Sequence, residues 1–280
     1  MDYTSPGLAY ETPQVPVSIG ALDEHFRSRE GFSFDPAHAP HSPRQNKLLA
    51  ALSDVDYARL VPHLELMPLP FGSTLHEGGG THSFAYFPIS GIVSPLCVME
   101  NGASAAVAIT GNEGMIGTSL FMGGGTALNR AVVQCAGQAY RLGANRLKHE
   151  FERGGQLCQL LLGYTQSLIT QMAQTAVCNR YHTIEQQVCR WLLQSLDRMP
   201  TNEISLTHEL LANMLGVRRE GVTDVAGKLQ KAGLIRYWRG KITVLDHVRL
   251  EARVCECYAA VKGEHSRSAT HMRRQARVRA

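Results

Sequence analysis

The chain has 280 residues and a mass of 30.7 kDa, which is enough for two domains with their own hydrophobic cores. Hydrophobic residues make up 44% of it and charged residues 19%, as in globular proteins and unlike disordered chains. Its apolar runs are far shorter than the ~20 residues of a membrane span, so we expect a soluble protein without membrane contact. The N-terminus lacks the basic start and apolar stretch of a signal peptide, which predicts a cytoplasmic location.

Charge is distributed unevenly along the sequence. Residues 201–280 contain 15 Lys and Arg against 8 Asp and Glu, whereas residues 1–200 contain 13 against 16. A basic tail over residues 262–280 carries six of these cations and one acidic residue. A polyanion is therefore expected to bind near the C-terminus, although charge alone is weak evidence for nucleic acid.

The first 150 residues divide into a polar arm and a glycine-rich region. Residues 1–45 hold six of the twelve prolines and show no sustained apolar period, which predicts a flexible arm. Two short helices fit the segment that begins at Asn46. From Gly72 to Gly143 the sequence has 14 of its 26 glycines, placed between short β-prone segments. The segments are residues 83–87, 92–99, 105–110, 131–135 and 139–142, and they predict a sandwich or barrel within residues 46–152.

Helical periodicity follows Gly143, first over residues 145–153 and then from Gln156 to about His182. The longer helix, within the segment 153–182, has two neighbouring apolar stripes. The first stripe is Leu161, Tyr164, Leu168 and Thr175, and the second is Leu162, Ile169, Met172 and Ala176. Two stripes favour a helix that packs on the β domain and on a second copy of itself, and we assign the first stripe to the dimer interface. A core helix between two layers would give the same pattern.

Residues 183–261 carry the most informative pattern. An amphipathic helix over 183–199 is followed by the signature of a helix-turn-helix. Thr207 is a suitable N-cap, Gly216 supplies a tight turn, and apolar residues from Val222 to Leu229 bury one side of a second helix. The opposite face of that helix carries Arg218, Arg219, Glu220, Thr223, Asp224 and Lys228. The sequence then alternates around Arg239, Gly240 and Lys241, which predicts a β-hairpin wing.

These residue types suit the recognition of double-stranded DNA. The major groove admits one helix, and its base edges present distinct patterns of hydrogen-bond donors and acceptors. Arginine pairs with guanine and glutamate accepts from cytosine, while Arg239 and Lys241 of the wing can neutralise phosphates. We therefore predict that Thr207, the polar face of the second helix and the wing bind DNA. The alternative is a solvated face in a helical bundle.

The run LANMLGVRREGVT, from Leu211 to Thr223, and the run from Leu229 to Ile235 closely resemble the winged helix-turn-helix of the Crp/Fnr superfamily of bacterial transcription regulators. The segment from Tyr86 to Val93 stands where that superfamily has part of its cyclic-nucleotide-binding β-roll. The resemblance covers roughly residues 46–261. It implies an α+β chain with an N-terminal antiparallel β-roll, a long dimerisation helix and a C-terminal winged helix-turn-helix. It also implies a homodimer that binds an inverted-repeat operator, with RNA polymerase as a further partner.

The resemblance also assigns roles to single residues. In the superfamily, an Arg-Glu pair and the residue four positions after the Glu read bases. Arg219 and Glu220 match the pair, whereas Asp224 stands where several members have Arg, which implies a different operator.

The cyclic-nucleotide cassette of the superfamily is degenerate in this chain. Members that bind cyclic AMP place a Glu on the ribose and an Arg on the cyclic phosphate. With Ala131 in register, Thr118 after Gly117 replaces the Glu, and Asn129 replaces the Arg. We therefore expect that cyclic AMP does not control the protein, and the effector is unknown. A slip of one residue would instead bring Arg130 to the phosphate.

The seven cysteines do not predict a metal or disulfide site. The first is Cys97, too late for the N-terminal iron-sulfur cluster of oxygen-sensing members. Cys255 and Cys257 are interpreted as small buried residues, because two residues apart on one helix the side chains point about 200° from each other. No zinc spacing occurs among the histidines, so we predict no metal and no cofactor.

Two other function classes were weighed against a transcription regulator. No nucleophile elbow, paired carboxylates or Ser/His/Asp order is present, so no catalytic residue is predicted and an enzyme is rejected. The remaining alternative is a cyclic-nucleotide-domain-like module that binds a ligand or acts on a protein partner. Salt-dependent, sequence-selective DNA binding would distinguish the regulator from that module.

Overall fold

The structure is a computed structural model that describes residues 41–123, 126, 127, 129–264 and 267. Most of the predicted arm and basic tail therefore lies outside the described residues. A 3₁₀ turn, Pro43–Gln45, leads into helices α1 (Lys47–Ala50) and α2 (Asp54–Leu60). The buried Asn46 caps α1 and donates hydrogen bonds to the carbonyl oxygens of Pro88 and Gly114, which anchors this segment to the domain.

The N-terminal domain contains a five-stranded antiparallel sheet, and the expectation of an antiparallel β-roll is confirmed. Its order is β1-β5-β3-β4, with β2 beside β5. The strands are β1 (Glu65–Leu69), β2 (Thr74–His76), β3 (Phe84–Val98), β4 (Ser104–Ala106) and β5 (Arg130–Gly143). Strands β1 and β2 were not predicted from sequence, because β1 contains Pro68 and β2 is only three residues long.

Strands β3 and β5 are each continuous where the glycines suggested interruptions. The register between them shifts on both sides of Ser90, next to Gly91 and opposite Gly137. A Cβ atom on Gly91 would lie 2.5 Å from the carbonyl oxygen of Cys135, and one on Gly137 would lie 2.4 Å from the Ser90 carbonyl. The two glycines therefore allow the strands to approach closely at a bulge rather than ending them.

This close approach predicts unequal effects of adding a methyl group. Gly91 has a φ of 79°, so Gly91→Ala combines backbone strain with a clash and should lower the free energy of unfolding by about 2 kcal/mol or more. Gly143 has an ordinary φ of −58° and open space at its Cβ, so Gly143→Ala should change it by less than about 0.5 kcal/mol. Urea denaturation measures both, and equal losses would contradict the bulge interpretation.

Three helices link the sheet to the C-terminal domain, namely α3 (Ala144–Glu152), α4 (Gln156–Tyr181) and α5 (Ile184–Leu196). The long helix expected from sequence is confirmed as α4. One side of α4 packs against α1, β3 and β5 in a single core, with Leu160, Leu161 and Tyr164 at its centre. The Tyr164 hydroxyl also lies 3.1 Å from Thr110 Oγ1 and donates to the carbonyl oxygen of Met115. Helix α4 is thus tied to the loop that follows β4.

The C-terminal domain joins short helices to a three-stranded sheet of order β6-β8-β7. Its elements are β6 (Glu203–Ser205), α6 (His208–Leu215), α7 (Arg219–Lys231), β7 (Ile235–Trp238), β8 (Lys241–Val244) and α8 (His247–Glu251). Its core is continuous with part of the first domain, since Leu96 and Val132 belong to the same apolar cluster as Leu210 and Met214.

The last helical segment corrects one expectation from sequence. Residues 256–264 are helical, whereas Cys255 lies just before this helix and outside any regular element. Cys255 and Cys257 therefore do not share a regular helix, and the angle that was taken to separate their side chains does not apply. No helix in the described part of the chain is long and apolar enough to cross a membrane.

Candidate nucleic-acid interface

Thr207 and Gly216 define the two ends of α6 and thereby the turn that leads into α7. The Thr207 hydroxyl accepts a hydrogen bond from the backbone N–H of Leu210, 3.1 Å away, and begins α6. Gly216, with a φ of 67°, ends it, and the next N–H donates to the Ala212 carbonyl. Thr207 is half-buried and serves as the cap of α6, so its predicted contact with DNA would be additional to that role.

Helix α7 has one buried and one exposed face. Val222, Val225 and Leu229 are buried on the inner face, and Gly221 lets α7 approach α5 closely, since a Cβ there would lie 2.8 Å from Ile184 Cδ1. The six residues predicted to face DNA are all exposed: Arg218, Arg219, Glu220, Thr223, Asp224 and Lys228. The structure therefore brings them together on one surface, with two arginines at the start of the helix.

Charges along α7 are partly compensated within the helix. Lys228 Nζ lies 2.7 Å from Asp224 Oδ2, one turn away, and this pairing raises the pKa of Lys228. Asp224, which the resemblance places at the third base-reading position, therefore has a cationic partner on its own helix. Arg218 and Arg219 directly precede Glu220 at the start of α7, and Lys231 adds a further exposed cation in its last turn.

A ring stack that sequence reasoning missed joins α6 to the wing. His208 and Tyr237 have ring centroids 4.0 Å apart, and His208 Nδ1 lies 3.1 Å from the Thr223 hydroxyl of α7. Burial, with a smaller effect from the charge of Arg219, lowers the pKa of His208. The His208 ring thus contacts both the wing and helix α7. The only indication of this stack in the sequence is the position of His208 directly after the N-cap Thr207.

The wing presents its two predicted phosphate ligands differently. Arg239 and Gly240 both have positive φ, 48° and 76°, and form the tip of the hairpin. The guanidinium of Arg239 lies 5.3 Å from the ring of the exposed Trp238. Lys241 instead forms a 2.7 Å ion pair with Glu203 of β6. Arg239 is therefore the more accessible cation for a phosphate.

The residues of the degenerate cassette lie around β2 and the start of β5. Gly117 adopts a φ of 104°, and Thr118 begins a 3₁₀ turn. Asn129 accepts a hydrogen bond from the Cys97 thiol. Arg130 lies 3.3 Å from the Glu77 carboxylate and donates to the Thr74 hydroxyl. An acidic partner already compensates Arg130, which disfavours the slipped alignment.

A histidine pair beside this cassette was not singled out by the sequence. His76 and His82 stack with ring centroids 4.5 Å apart, and His82 Nε2 lies 3.3 Å from the Ser119 hydroxyl. Burial, with help from His82, lowers the pKa of His76 from its ordinary 6.5 to about 4. Burial also lowers the pKa of His82. Both rings are neutral in the folded protein near pH 7.

The neutral pair predicts sensitivity to acid. Below about pH 6.5, His76 is protonated in the unfolded chain but stays neutral in the folded protein, because its pKa there is about 4. The free energy of unfolding should therefore fall as the pH drops from 6.5 towards 4. His76→Gln should remove about 1 to 2 kcal/mol of this loss in stability. This is less than the free energy that corresponds to the whole pKa shift of His76, because the ring is partly exposed. His63→Gln, at an exposed histidine outside the pair, provides the matched control substitution. Urea denaturation at a series of pH values tests both variants.

The assignment of the first α4 stripe to the dimer interface is wrong. Leu161, Tyr164 and Thr175 are buried within one chain, and Leu168 is half-buried, because this side of α4 packs on its own protomer. The second stripe is the accessible one, with Leu162 47% and Ile169 51% exposed. The sequence thus separates the two stripes correctly, and the stripe of Leu162 and Ile169, rather than that of Leu161, is the one left accessible to a partner.

Comparison with known proteins defines the class. Residues 186–253 match the family model described as the Crp-like helix-turn-helix domain. A Crp/Fnr-family transcriptional regulator from Eubacterium rectale is similar in structure, with 20% identity, a TM-score of 0.60 and coverage of 75% of this chain and 98% of its own. No curated protein sequence matches the chain.

Two further solved structures share this architecture. FixK2 from Bradyrhizobium japonicum has 14% identity and a TM-score of 0.60, covering 69% of this chain and 98% of its own. CLP from Xanthomonas campestris, a c-di-GMP-responsive global regulator, has 17% identity and a TM-score of 0.56. The match covers 69% of this chain and 100% of the CLP chain. The chain thus has the fold of Crp/Fnr transcription regulators and contains a Crp-like helix-turn-helix domain, as the sequence motifs predicted. The proteins it resembles are regulators rather than enzymes.

Proposed function

We propose that this protein is a cytoplasmic, homodimeric transcription regulator that binds an inverted-repeat operator in double-stranded DNA. The observation that carries the proposal is the exposed face of α7, which presents Arg218, Arg219 and Glu220 at its first turn. Base contacts in helix-turn-helix proteins come from the N-terminal part of the recognition helix. The wing adds Arg239 beside this surface for a phosphate.

The exposed stripe of α4 supports the dimer. Leu162, Ile169 and Ala176 are exposed and recur every seven residues, as in the seam of a coiled coil, and Met172 lies half-buried beside them. A parallel pair of α4 helices would place two copies of α7 on one side of the dimer. Such a twofold arrangement reads two half-sites about 34 Å apart.

We expect charge in this seam to separate the subunits. The double change Leu162→Glu and Ile169→Glu places four carboxylates in a dimer interface, so analytical ultracentrifugation should show a monomer. Thr170→Glu with Gln174→Glu adds the same charge to other, half-buried positions of α4 and should leave the dimer intact. A wild-type monomer, or a Leu162/Ile169 variant that remains a dimer with native circular dichroism, would contradict the seam.

Arg219 should contribute specificity, and Arg239 should contribute affinity without specificity. Arg219→Ala removes a bidentate base contact and should cost about 1 to 3 kcal/mol on the selected site, with weaker discrimination between sequences. Arg239→Ala should weaken binding to all sequences alike and reduce the salt slope by about one unit.

In vitro selection of bound DNA, followed by titration at several salt concentrations, measures both effects. Selection of the same motif with equal stringency by wild type and Arg219→Ala would remove Arg219 from base reading. If neither protein enriches a motif, the regulator proposal fails and a module acting on a protein partner becomes the better description.

A further inference from the structure

Three cysteines and a histidine converge where α4 meets the C-terminal domain. Cys178 lies in the last turn of α4, and His182 follows that helix directly. Cys255 and Cys257 come from the start of the helical segment 256–264. One ligand atom from each residue lies within 4.8 Å of all the others. The cysteines are buried, and the His182 side chain is 13% exposed.

Two separations between these atoms match tetrahedral coordination. Cys178 Sγ and Cys255 Sγ are 3.6 Å apart, and Cys257 Sγ lies 3.5 Å from His182 Nδ1. Zinc binds sulfur at about 2.3 Å and nitrogen at about 2.0 Å, so neighbouring corners of its tetrahedron are separated by roughly 3.5 to 3.8 Å. These two pairs already have the separation of neighbouring ligands, and the remaining atoms, all within 4.8 Å, would have to move closer by at most about 1 Å.

The surroundings of His182 fit a metal ligand. Nδ1 faces the cysteines, while Nε2 lies 3.3 Å from the carboxylate of Glu256. Histidines that bind metals commonly donate their second ring N–H to a carboxylate, which fixes the ring orientation and the tautomer. Gln187 additionally donates a hydrogen bond to the backbone carbonyl of His182.

A buried arginine supplies an independent argument. Arg190 is 4% exposed, and its Nη1 donates to the Thr175 hydroxyl, but no carboxylate of the described chain forms an ion pair with it. A buried cation without a counter-charge is costly. Thr175 lies one helical turn before Cys178 on α4, so the Arg190 guanidinium is held beside the cysteine-bearing end of that helix. Three thiolates, one neutral imidazole and Zn²⁺ carry a net charge of −1, which Arg190 would balance.

We propose that Cys178, His182, Cys255 and Cys257 form a structural zinc site of the Cys₃His type. Three sulfur ligands and one nitrogen, held in a closed and buried arrangement, suit the borderline-soft Zn²⁺ ion. The four ligands occupy all tetrahedral positions, which indicates a structural rather than a catalytic metal. The site fastens the end of α4 to the last helix of the DNA-binding domain, across the junction at Thr183.

Metal content and cobalt spectroscopy on the full-length protein test the site. Protein purified under reducing conditions should contain one zinc per protomer, and Co²⁺ should give the visible bands of a tetrahedral ion with thiolate charge-transfer absorption. Cys257→Ser and Cys178→Ser should lose the bound zinc or the thiolate bands. Cys97→Ser and Cys158→Ser provide matched controls outside the cluster and should retain one equivalent.

A stability measurement separates metal binding from a defect in folding. Because the ion would bind the folded state, a strong chelator should lower the thermal unfolding midpoint of the wild type and leave that of Cys257→Ser unchanged. The proposal is overturned if reduced wild type takes up neither Zn²⁺ nor Co²⁺, or if Cys257→Ser binds the metal like wild type. Formation of a Cys178–Cys255 disulfide in protein that binds no metal would overturn it as well and assign a redox pair. These readouts do not involve DNA, so they are independent of the proposed function.

Discussion

The ion pair between Arg198 and Glu113 joins the two halves of the molecule. Arg198 follows the end of α5, Glu113 lies in the loop after β4, and their charged atoms are 2.7 Å apart. Both side chains are largely buried, and Arg198 also donates to the Gln194 carbonyl. The contact needs Gly111, because a Cβ there would lie 2.9 Å from Arg198 Cβ. Loss of either charged partner would leave the other in a low-dielectric environment, which costs about 3 to 5 kcal/mol.

The loop that carries Glu113 also contacts helix α4. Tyr164 of α4 bonds to Thr110 and Met115 on either side of Glu113, and a Cβ on Gly114 would lie 2.3 Å from its ring. The same loop continues into Gly117 and the degenerate cassette. A movement of the cassette must therefore be accommodated by Tyr164 and Arg198 together, because close-packed groups cannot absorb it locally. A continuous set of contacts thus connects the β-roll to the C-terminal domain.

Local patterns were more predictable from sequence than long-range ones. The N-cap Thr207, the αL Gly216 and the buried Val222 act within a few residues, so the helix-turn-helix could be identified directly. Gly91 was misinterpreted because a glycine in a bulge and a glycine in a turn look alike until the opposite strand is known.

The roles of the two α4 stripes depended on long-range packing. Periodicity shows that the helix has two apolar faces, one with Leu161 and one with Leu162. Only the position of the β-roll decides which of the two faces is buried within the chain and which stays exposed. The cysteine cluster was missed for the same reason. Cys178 and Cys255 are far apart in sequence, and Cys255 lies outside the helix that the spacing argument assumed. A cluster whose residues come from distant segments of the chain cannot be recognised from the spacing of residues within one segment.

Helix α5 lies between two contacts: the group of three cysteines and His182 at its start, and the Arg198–Glu113 ion pair at its end. His182 and Cys178 precede its N-cap Thr183, while Arg198 follows its C-terminus and binds Glu113. Helix α7 packs directly on α5 through Gly221 and Ile184. The orientation of Arg218 and Arg219 thus depends on how α5 is fixed relative to α4 and to the cassette loop. A change at either end of α5 would therefore alter the position of α7. In the proposed dimer this matters for DNA binding, because the distance between the two copies of α7 must match one helical turn of DNA.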